Sequence, residues 1–109
     1  YGRNVYETAF LCSRGDRFIV KPVANAYAAP TASKKIHPSE KPEPVLKHFF
    51  QQFLDSGSEV FDPTCGGGSA LRAADPIAKR VFGIELSPEF SSAANAALTS
   101  ARALRKAAG

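Results

Sequence analysis

The distribution of hydrophobic residues divides this chain of 109 residues into an irregular first third and a regular remainder. Within residues 6–20, two runs rich in Val, Phe, Ile and Tyr flank Gly15-Asp16. A Gly-Asp pair between two such runs is typical of a β-hairpin turn. Residues 24–36 carry Ala, Asn, Pro, Thr, Ser and Lys without periodicity. That composition predicts an exposed loop after the hairpin.

An amphipathic helix is predicted next, over residues 45–54. Apolar side chains recur there at the spacing of one helical face: Val45, Leu46, Phe49, Phe50, Phe53 and Leu54. Residues 37–44 contain three prolines, which suit the approach to a helix and its first turn because the missing N–H costs nothing there. Gly57 stands where a glycine C-cap is expected.

From residue 59 onward, the pattern predicts the order strand, helix, strand, helix. Short apolar strands are expected at residues 59–62 and 80–86, separated by a helix of small residues at 66–74 that ends at Asp75-Pro76. Ser87-Pro88-Glu89 is a strong helix start, with a cap, a proline and an acid in the first turn. This order is that of a parallel βαβ unit, so the fold class is α/β, and the chain length favours one domain.

The loop between the first strand and its helix has the character of a ligand site. The strand ends in Asp62, the loop contains Gly66-Gly67-Gly68, and the second strand leads into Glu85. Glycines allow a backbone to approach a ligand closely, and an acid at the end of the second strand can accept hydrogen bonds from a ribose diol. These features fit an adenosyl ligand or a dinucleotide equally well, and a plain glycine turn is an equally good interpretation.

Composition narrows the possible partners and cofactors. The net charge of +4 permits nucleic acid as a partner without requiring it. The two cysteines, Cys12 and Cys65, form no CxxC or Cys/His ligand set, so no metal site is expected. No apolar run approaches the length of about 18 residues that a membrane span needs. Cys65 is interpreted as a small buried thiol rather than a nucleophile, because no activating base lies near it in sequence.

Three segments in order, HPSEKPEPVLKHFF, VFDPTCGGGSALRAA and VFGIEL, together resemble the DNA amino-methyltransferases of the permuted beta order, which act on adenine N6 or cytosine N4. The resemblance is close over residues 36–97 and looser over residues 6–30. It implies S-adenosylmethionine as cofactor and DNA as the partner of the full-length protein. It further implies a partial Rossmann-like sheet with an N-terminal β-hairpin, in a cytoplasmic protein encoded by a bacterium or a phage.

The resemblance also assigns candidate cofactor-binding residues. It places Asp62 at the methionine end of the cofactor and Glu85 on the ribose diol, with Leu86 as a wall of the adenine pocket. Gly66 and Gly68 match the glycines of the family's GSG pattern, and Gly67 replaces its serine. The full set is Ser39, Lys41, Pro42, Asp62, Thr64, Gly66, Gly68, Glu85 and Leu86. From residue type alone, a solvated side chain is the more common state for a lysine such as Lys41. Asp62 has the alternative role of a cap for the following turn.

The resembled enzymes hold the target base with an (Asp/Asn/Ser)-Pro-Pro-(Tyr/Phe/Trp) motif, which does not occur in this sequence. The expectation is therefore that residues 1–36 come from the end of a catalytic half, that residues 37–109 form the cofactor-binding part, and that the strands carrying the catalytic motif are missing. No catalytic residue is assigned, and the chain alone is expected to transfer no methyl group. Unpaired strand edges would favour self-association of the chain.

Two further interpretations remain open at the level of sequence. One is a binding or assembly module that keeps a methyltransferase-like fold without turnover. The other is a fragment of a dinucleotide-binding oxidoreductase, which would show GxGxxG after the first strand. Basic residues of the first third could contact DNA phosphates, or could simply be solvated surface charges; the candidates are Arg14, Arg17, Lys34 and Lys35.

Overall fold

A two-stranded parallel sheet forms the centre of the computed structural model, which describes residues 7–16, 18–30 and 35–109. Strand β1 (Glu59–Asp62) pairs with β2 (Arg80–Gly83), with Phe61 opposite Phe82. The predicted bounds of the first strand are confirmed. The second strand ends at Gly83, short of the predicted residue 86, although the amide of Ile84 still donates to the Asp62 carbonyl at 3.0 Å.

Three helices accompany the sheet: α1 (Glu43–Phe50), α2 (Ser69–Ala74) and α3 (Pro88–Ala108). Helix α3 begins as predicted, since the Ser87 hydroxyl accepts a hydrogen bond from the Phe90 amide at 3.4 Å. Helix α2 ends before Asp75-Pro76 as expected but starts at Ser69, after the glycines rather than at the first of them. The predicted α/β fold class, with one parallel βαβ unit, is confirmed.

The predicted end of the first helix is wrong. Helix α1 stops at Phe50, residues 51–53 form a turn, and Gln51 is the C-cap. The Gln52 carbonyl accepts the Val20 amide at 2.8 Å, a tertiary bond that local periodicity cannot indicate. Gly57 is not the C-cap but belongs to a separate turn, where its amide donates to Asp55 Oδ1 at 2.9 Å.

The core is small and is built around α2. Ala73 and Ala74 are fully buried, and Leu71 and Ala94 are nearly so. Helix α2 contacts both strands, α1 and α3, which is possible because its alanines let neighbouring backbones approach closely. The short α2 is therefore the hub of the fold, and the glycine loop leads directly into its first turn.

The predicted N-terminal β-hairpin is not found among the described residues. Residues 7–16 and 18–20 form no strand, while Tyr6 and Arg17 lie outside the described part of the chain. A bend does occur at the predicted position, where Gly15 has φ of +76°. Phe10 and Phe18 are 90% and 80% exposed, however, so the two runs are not held against a sheet. An isolated hairpin is only marginally stable in water, which explains why pattern alone was insufficient.

The segment after the bend instead runs along α1. The Tyr27 ring stacks on the His48 ring with centroids 4.6 Å apart, and His48 Nε2 lies 2.8 Å from the Ala24 carbonyl oxygen. Lys21 donates to the Gln51 side chain at 3.2 Å. These contacts cover part of the apolar stripe of α1, whose residues are half-buried rather than open.

One face of the sheet is uncovered in the described part of the chain. Phe61, Phe82 and Ile84 are 59%, 47% and 57% exposed. Val60 and Val81, which directly precede the two phenylalanines in the strands, are half-buried. Alternate residues of a strand point to opposite faces. The valine face therefore packs on the helices, and the phenylalanine face is open.

Candidate functional site

Three segments meet at the carboxyl end of the two strands. They are residues 36–41, which we call the strap, residues 63–68, which we call the glycine loop, and residues 83–90. The Cys65 amide donates to the Ile84 carbonyl at 2.9 Å, which joins the glycine loop to the end of β2. The His37 ring lies 4.7 Å from the Phe90 ring, centroid to centroid, which joins the strap to the start of α3.

Two carboxylates stand at this junction, one after each strand. Asp62 Oδ1 accepts the Thr64 amide at 3.0 Å, and Glu85 Oε1 accepts the Ser87 amide at 3.0 Å. Both acids thus brace the turn that follows them, as the capping interpretation of Asp62 anticipated. A carboxylate has about four acceptor positions, so each acid can accept further hydrogen bonds from a ligand.

The Cys65 thiol lies at the junction, close to both carboxylates. Its pKa is raised above the ordinary value, first by burial and then by the negative charges of Asp62 and Glu85. The thiol is therefore protonated at neutral pH, in agreement with its interpretation as inert. Asp62 and Glu85 therefore both lie near Cys65, at the junction of the two strand ends.

The glycines of the loop serve packing and backbone conformation. Gly66 and Gly68 have φ of +52° and +79°, which side-chain-bearing residues rarely adopt. A Cβ on Gly67 would lie 2.7 Å from Ile36 Cβ and 3.2 Å from Glu40 Oε2. The sequence suggested that these glycines make room for a ligand. In the structure, the space beside Gly67 is occupied by the strap.

An ionic network that sequence reasoning missed lies under the loop. Arg72 of α2 donates to Glu40 and to the Gly67 carbonyl, and its Nε donates to Glu43 at 2.6 Å. The Glu40 and Arg72 side chains are only 5% and 12% exposed. Arg72 is the one charged residue in the small-residue helix SALRAA, and that isolation in the sequence was the available signal.

A cavity of about 110 Å³ lies behind the loop, between α2, β2 and α3. Its lining includes Cys65, Leu71, Glu85 and Asn95. Ligand pockets are typically about 300–1,000 Å³, so this cavity alone is too small to enclose an adenosyl ligand. A ligand of adenosyl size would have to lie on the open side of the loop.

Comparison with known proteins identifies the family. A family model described as DNA methylase matches residues 9–96, which is most of the chain. The chain belongs to the DNA methylase family. It is 29% identical over 86 residues to the putative methylase YubD of Escherichia coli (strain K12), covering 78% of this chain and 38% of YubD.

A solved structure supports the same fold. The crystal structure of the M1.HpyAVI–SAM complex superposes with a TM-score of 0.56 at 23% identity, covering 70% of this chain and 41% of that one. At that identity the likeness concerns the fold alone. The chain spans about two fifths of the length of these two relatives.

The remaining residues assigned from the DNA methylase resemblance are mostly exposed. Lys41 forms an ion pair with Glu7 at 2.9 Å, both side chains being more than half exposed. Ser39 is exposed, and its amide donates to His37 Nδ1 at 3.1 Å. Pro42 is the N-cap of α1. The exposed Leu86, with 97% of its surface open, forms no enclosed wall with the described residues.

The candidate phosphate-contacting residues are only partly described. Arg14 and Lys35 are exposed, as DNA contacts would need to be. Arg17 and Lys34 lie outside the described residues. Exposure is equally expected of solvated surface charges.

Within residues 7–16, 18–30 and 35–109, no three His, Cys, Asp or Glu side chains come together in a way that could hold a metal ion. The helices of that same part of the chain include none with both the length and the apolar character needed to cross a bilayer.

Proposed function

We propose that the crevice between the strap, the glycine loop and Glu85 binds S-adenosylmethionine. The observation that carries this proposal is the pair of carboxylates after two adjacent parallel strands, both acting on Cys65. A crevice with two carboxylates suits the ammonium and sulfonium groups of this cofactor. It disfavours the pyrophosphate of a dinucleotide, because like charges repel. Membership of the DNA methylase family points the same way and leaves the oxidoreductase interpretation without support.

The two acids have different roles in this proposal. Glu85 accepts hydrogen bonds from the ribose diol, the usual role of an acid after the second strand of a nucleoside-binding βαβ unit. Asp62, which precedes the glycine loop, pairs with the ammonium of the methionine moiety. Leu86 contributes apolar surface to the adenine, which would cover part of an otherwise exposed side chain.

Calorimetric titration tests the cofactor assignment. Glu85→Gln should weaken binding of S-adenosylmethionine by about 1–3 kcal/mol, the range for a lost hydrogen bond at a charged acceptor. Glu89→Gln is the matched control, because Glu89 is an exposed acid four residues away on α3 and should leave the affinity unchanged. Equal affinity of the Glu85 variant and the parent would remove Glu85 from the site. Tighter binding of NAD than of S-adenosylmethionine would overturn the whole assignment.

The reaction of the full-length protein is the further part of the proposal. We infer that it transfers a methyl group from the cofactor sulfonium to the exocyclic amine of adenine or cytosine in DNA. A C–S bond breaks and a C–N bond forms, S-adenosylhomocysteine leaves, and the amine nitrogen loses one proton to water. The amine must be held facing the methyl group, which requires extrusion of the base and a pocket for it. The base-holding (Asp/Asn/Ser)-Pro-Pro-(Tyr/Phe/Trp) motif does not occur in these 109 residues. The chain is thus proposed as the cofactor-binding part and as inactive alone.

A non-catalytic assembly role is the second candidate, and the open sheet face favours it. Phe61, Phe82 and Ile84 expose a contiguous stretch of apolar surface, which monomers seldom leave bare. We propose that copies of this chain self-associate through that face. Exchange of an N-terminal hairpin between copies is not a route among the described residues, because no hairpin forms there.

A further inference from the structure

The Arg72 side chain joins the strap to the glycine loop through hydrogen bonds. All three guanidinium nitrogens of Arg72 are engaged: Nε with Glu43, one terminal nitrogen with Glu40 and the other with the Gly67 carbonyl. The guanidinium presents a rigid planar fork of donors, so it fixes the relative positions of its three acceptors. One acceptor, Glu40, belongs to the strap, Glu43 belongs to the first turn of α1, and the Gly67 carbonyl belongs to the glycine loop.

Glu40 extends this connection into the strap backbone. Its Oε2 accepts the Ile36 amide at 2.7 Å, while its Oε1 accepts from Arg72. Burial alone would raise the pKa of Glu40, but the hydrogen bonds from Ile36 and Arg72 outweigh burial and lower it. The carboxylate is therefore ionised at neutral pH, and the connection from α2 to the strap is charged and nearly buried.

We propose that Arg72, acting through Glu40 and the Gly67 carbonyl, is a positioning residue for the cofactor loop. It holds the loop backbone and the strap in the arrangement that S-adenosylmethionine meets, without touching the cofactor itself. The inference rests on the proposed function of the crevice. Arg72 is not among the residues that the family resemblance assigned to the cofactor.

The test separates positioning from simple stabilisation. Arg72→Met leaves Glu40 buried without its cation, which is strongly destabilising, and should also raise the Kd for S-adenosylhomocysteine by about tenfold or more. The double variant Glu40→Gln/Arg72→Met removes both charges, so stability should recover while the affinity stays low. Arg72→Lys keeps the charge without the fork and should fold with an intermediate Kd. Urea unfolding and calorimetric titration on the 109-residue chain measure the two quantities.

Asp75→Asn is the matched control. Asp75 is also nearly buried on the α2 side and pairs with Arg102 of α3 at 2.6 Å, remote from the loop. Its variant should lose stability and keep a Kd within about twofold of the parent, which is ordinary for a site distant from the ligand.

These measurements distinguish failure of the cofactor assignment from failure of the positioning role. If the parent chain does not bind S-adenosylhomocysteine, the cofactor assignment itself fails and the inference falls with it. If the parent binds but the double variant and Arg72→Lys bind with parental affinity, only the positioning role is overturned. Affinity that tracks stability across all variants, including Asp75→Asn, would likewise show that Arg72 is structural only.

Discussion

Gly67→Ala provides a direct measurement of how tightly the strap packs on the glycine loop. The added methyl carbon would lie 2.7 Å from Ile36 Cβ and 3.2 Å from Glu40 Oε2. Real Cβ atoms do not approach other carbons so closely, so the strap or the loop must move. Overpacking of this kind typically costs about 1–3 kcal/mol. Unlike Gly66 and Gly68, Gly67 has no left-handed φ, so the cost arises from packing and not from backbone strain.

The assay is equilibrium urea unfolding followed by far-ultraviolet circular dichroism, because the chain has no tryptophan. No cofactor is added, so that a loss of stability cannot come from a lost ligand. Gly57→Ala is the control: its Cβ would lie 3.4 Å from Asp55 Oδ1, an ordinary contact in an exposed turn. That variant should stay within about 0.5 kcal/mol of the parent.

A double-mutant cycle with Ile36→Gly identifies the partner. Removing Ile36 Cβ relieves the clash, so Gly67→Ala should cost about 1 kcal/mol less in the Ile36→Gly background than in the parent. The cycle subtracts the effect that Ile36→Gly has on stability by itself. Parental stability of Gly67→Ala, or an absence of coupling, would refute the packing explanation and return Gly67 to the role of making room for a ligand.

Three other predictions follow from the structure and the proposed function. The pKa of Asp75 is lowered on folding, chiefly by the hydrogen bond from Arg102 and against the effect of burial. The ionised Asp75 carboxylate therefore stabilises the fold above the unfolded pKa of 3.8, and this stabilisation is lost as the pH falls toward the folded pKa. Between pH 7 and pH 3, the unfolding midpoint should fall less for Asp75→Asn than for the parent. Parallel curves for the two proteins would contradict this. A radiolabelled-methyl assay with the purified chain and mixed DNA should incorporate no label into adenine or cytosine, and label in either base would refute the inactivity of the chain alone. Light scattering across a tenfold dilution should show that the average mass of the parent falls. The double variant Phe61→Ser/Phe82→Ser should abolish that fall, whereas Leu104→Ser, at an exposed position of α3, should not. A parent that is monomeric at all concentrations would reject the association.

The sequence was most informative where local signals and tertiary structure agree. The bounds of β1 follow from a short apolar run closed by an acid, and the start of α3 follows from Ser87-Pro88-Glu89, whose capping bond the structure contains. The junction of Asp62, the glycines and Glu85 follows from the parallel order, because the carboxyl ends of adjacent parallel strands meet at one edge. These are features that residues near in sequence determine.

The sequence was least informative where a distant residue decides the outcome. Helix α1 stops at Phe50 in a region where Gln52 bonds to Val20, more than 30 residues earlier. The runs around Gly15 have hairpin character, but a hairpin requires neighbours to bury its apolar side, and Phe10 and Phe18 remain exposed. The role of Arg72 depends on Glu40, which lies 32 residues earlier.

The departure of Gly67 from the serine of the resembled GSG pattern can be understood from the same contacts. Any side chain at position 67 would begin with a Cβ 2.7 Å from Ile36, whatever atoms followed it. Glycine in place of serine at position 67 is therefore required for the close approach of the strap, because it allows Ile36 and Glu40 to reach the loop. Glu40 then brings the strap amides and the Arg72 guanidinium to the same place. In this chain, the glycine loop has no hydroxyl at position 67, and its geometry is fixed by contacts with the strap and α2.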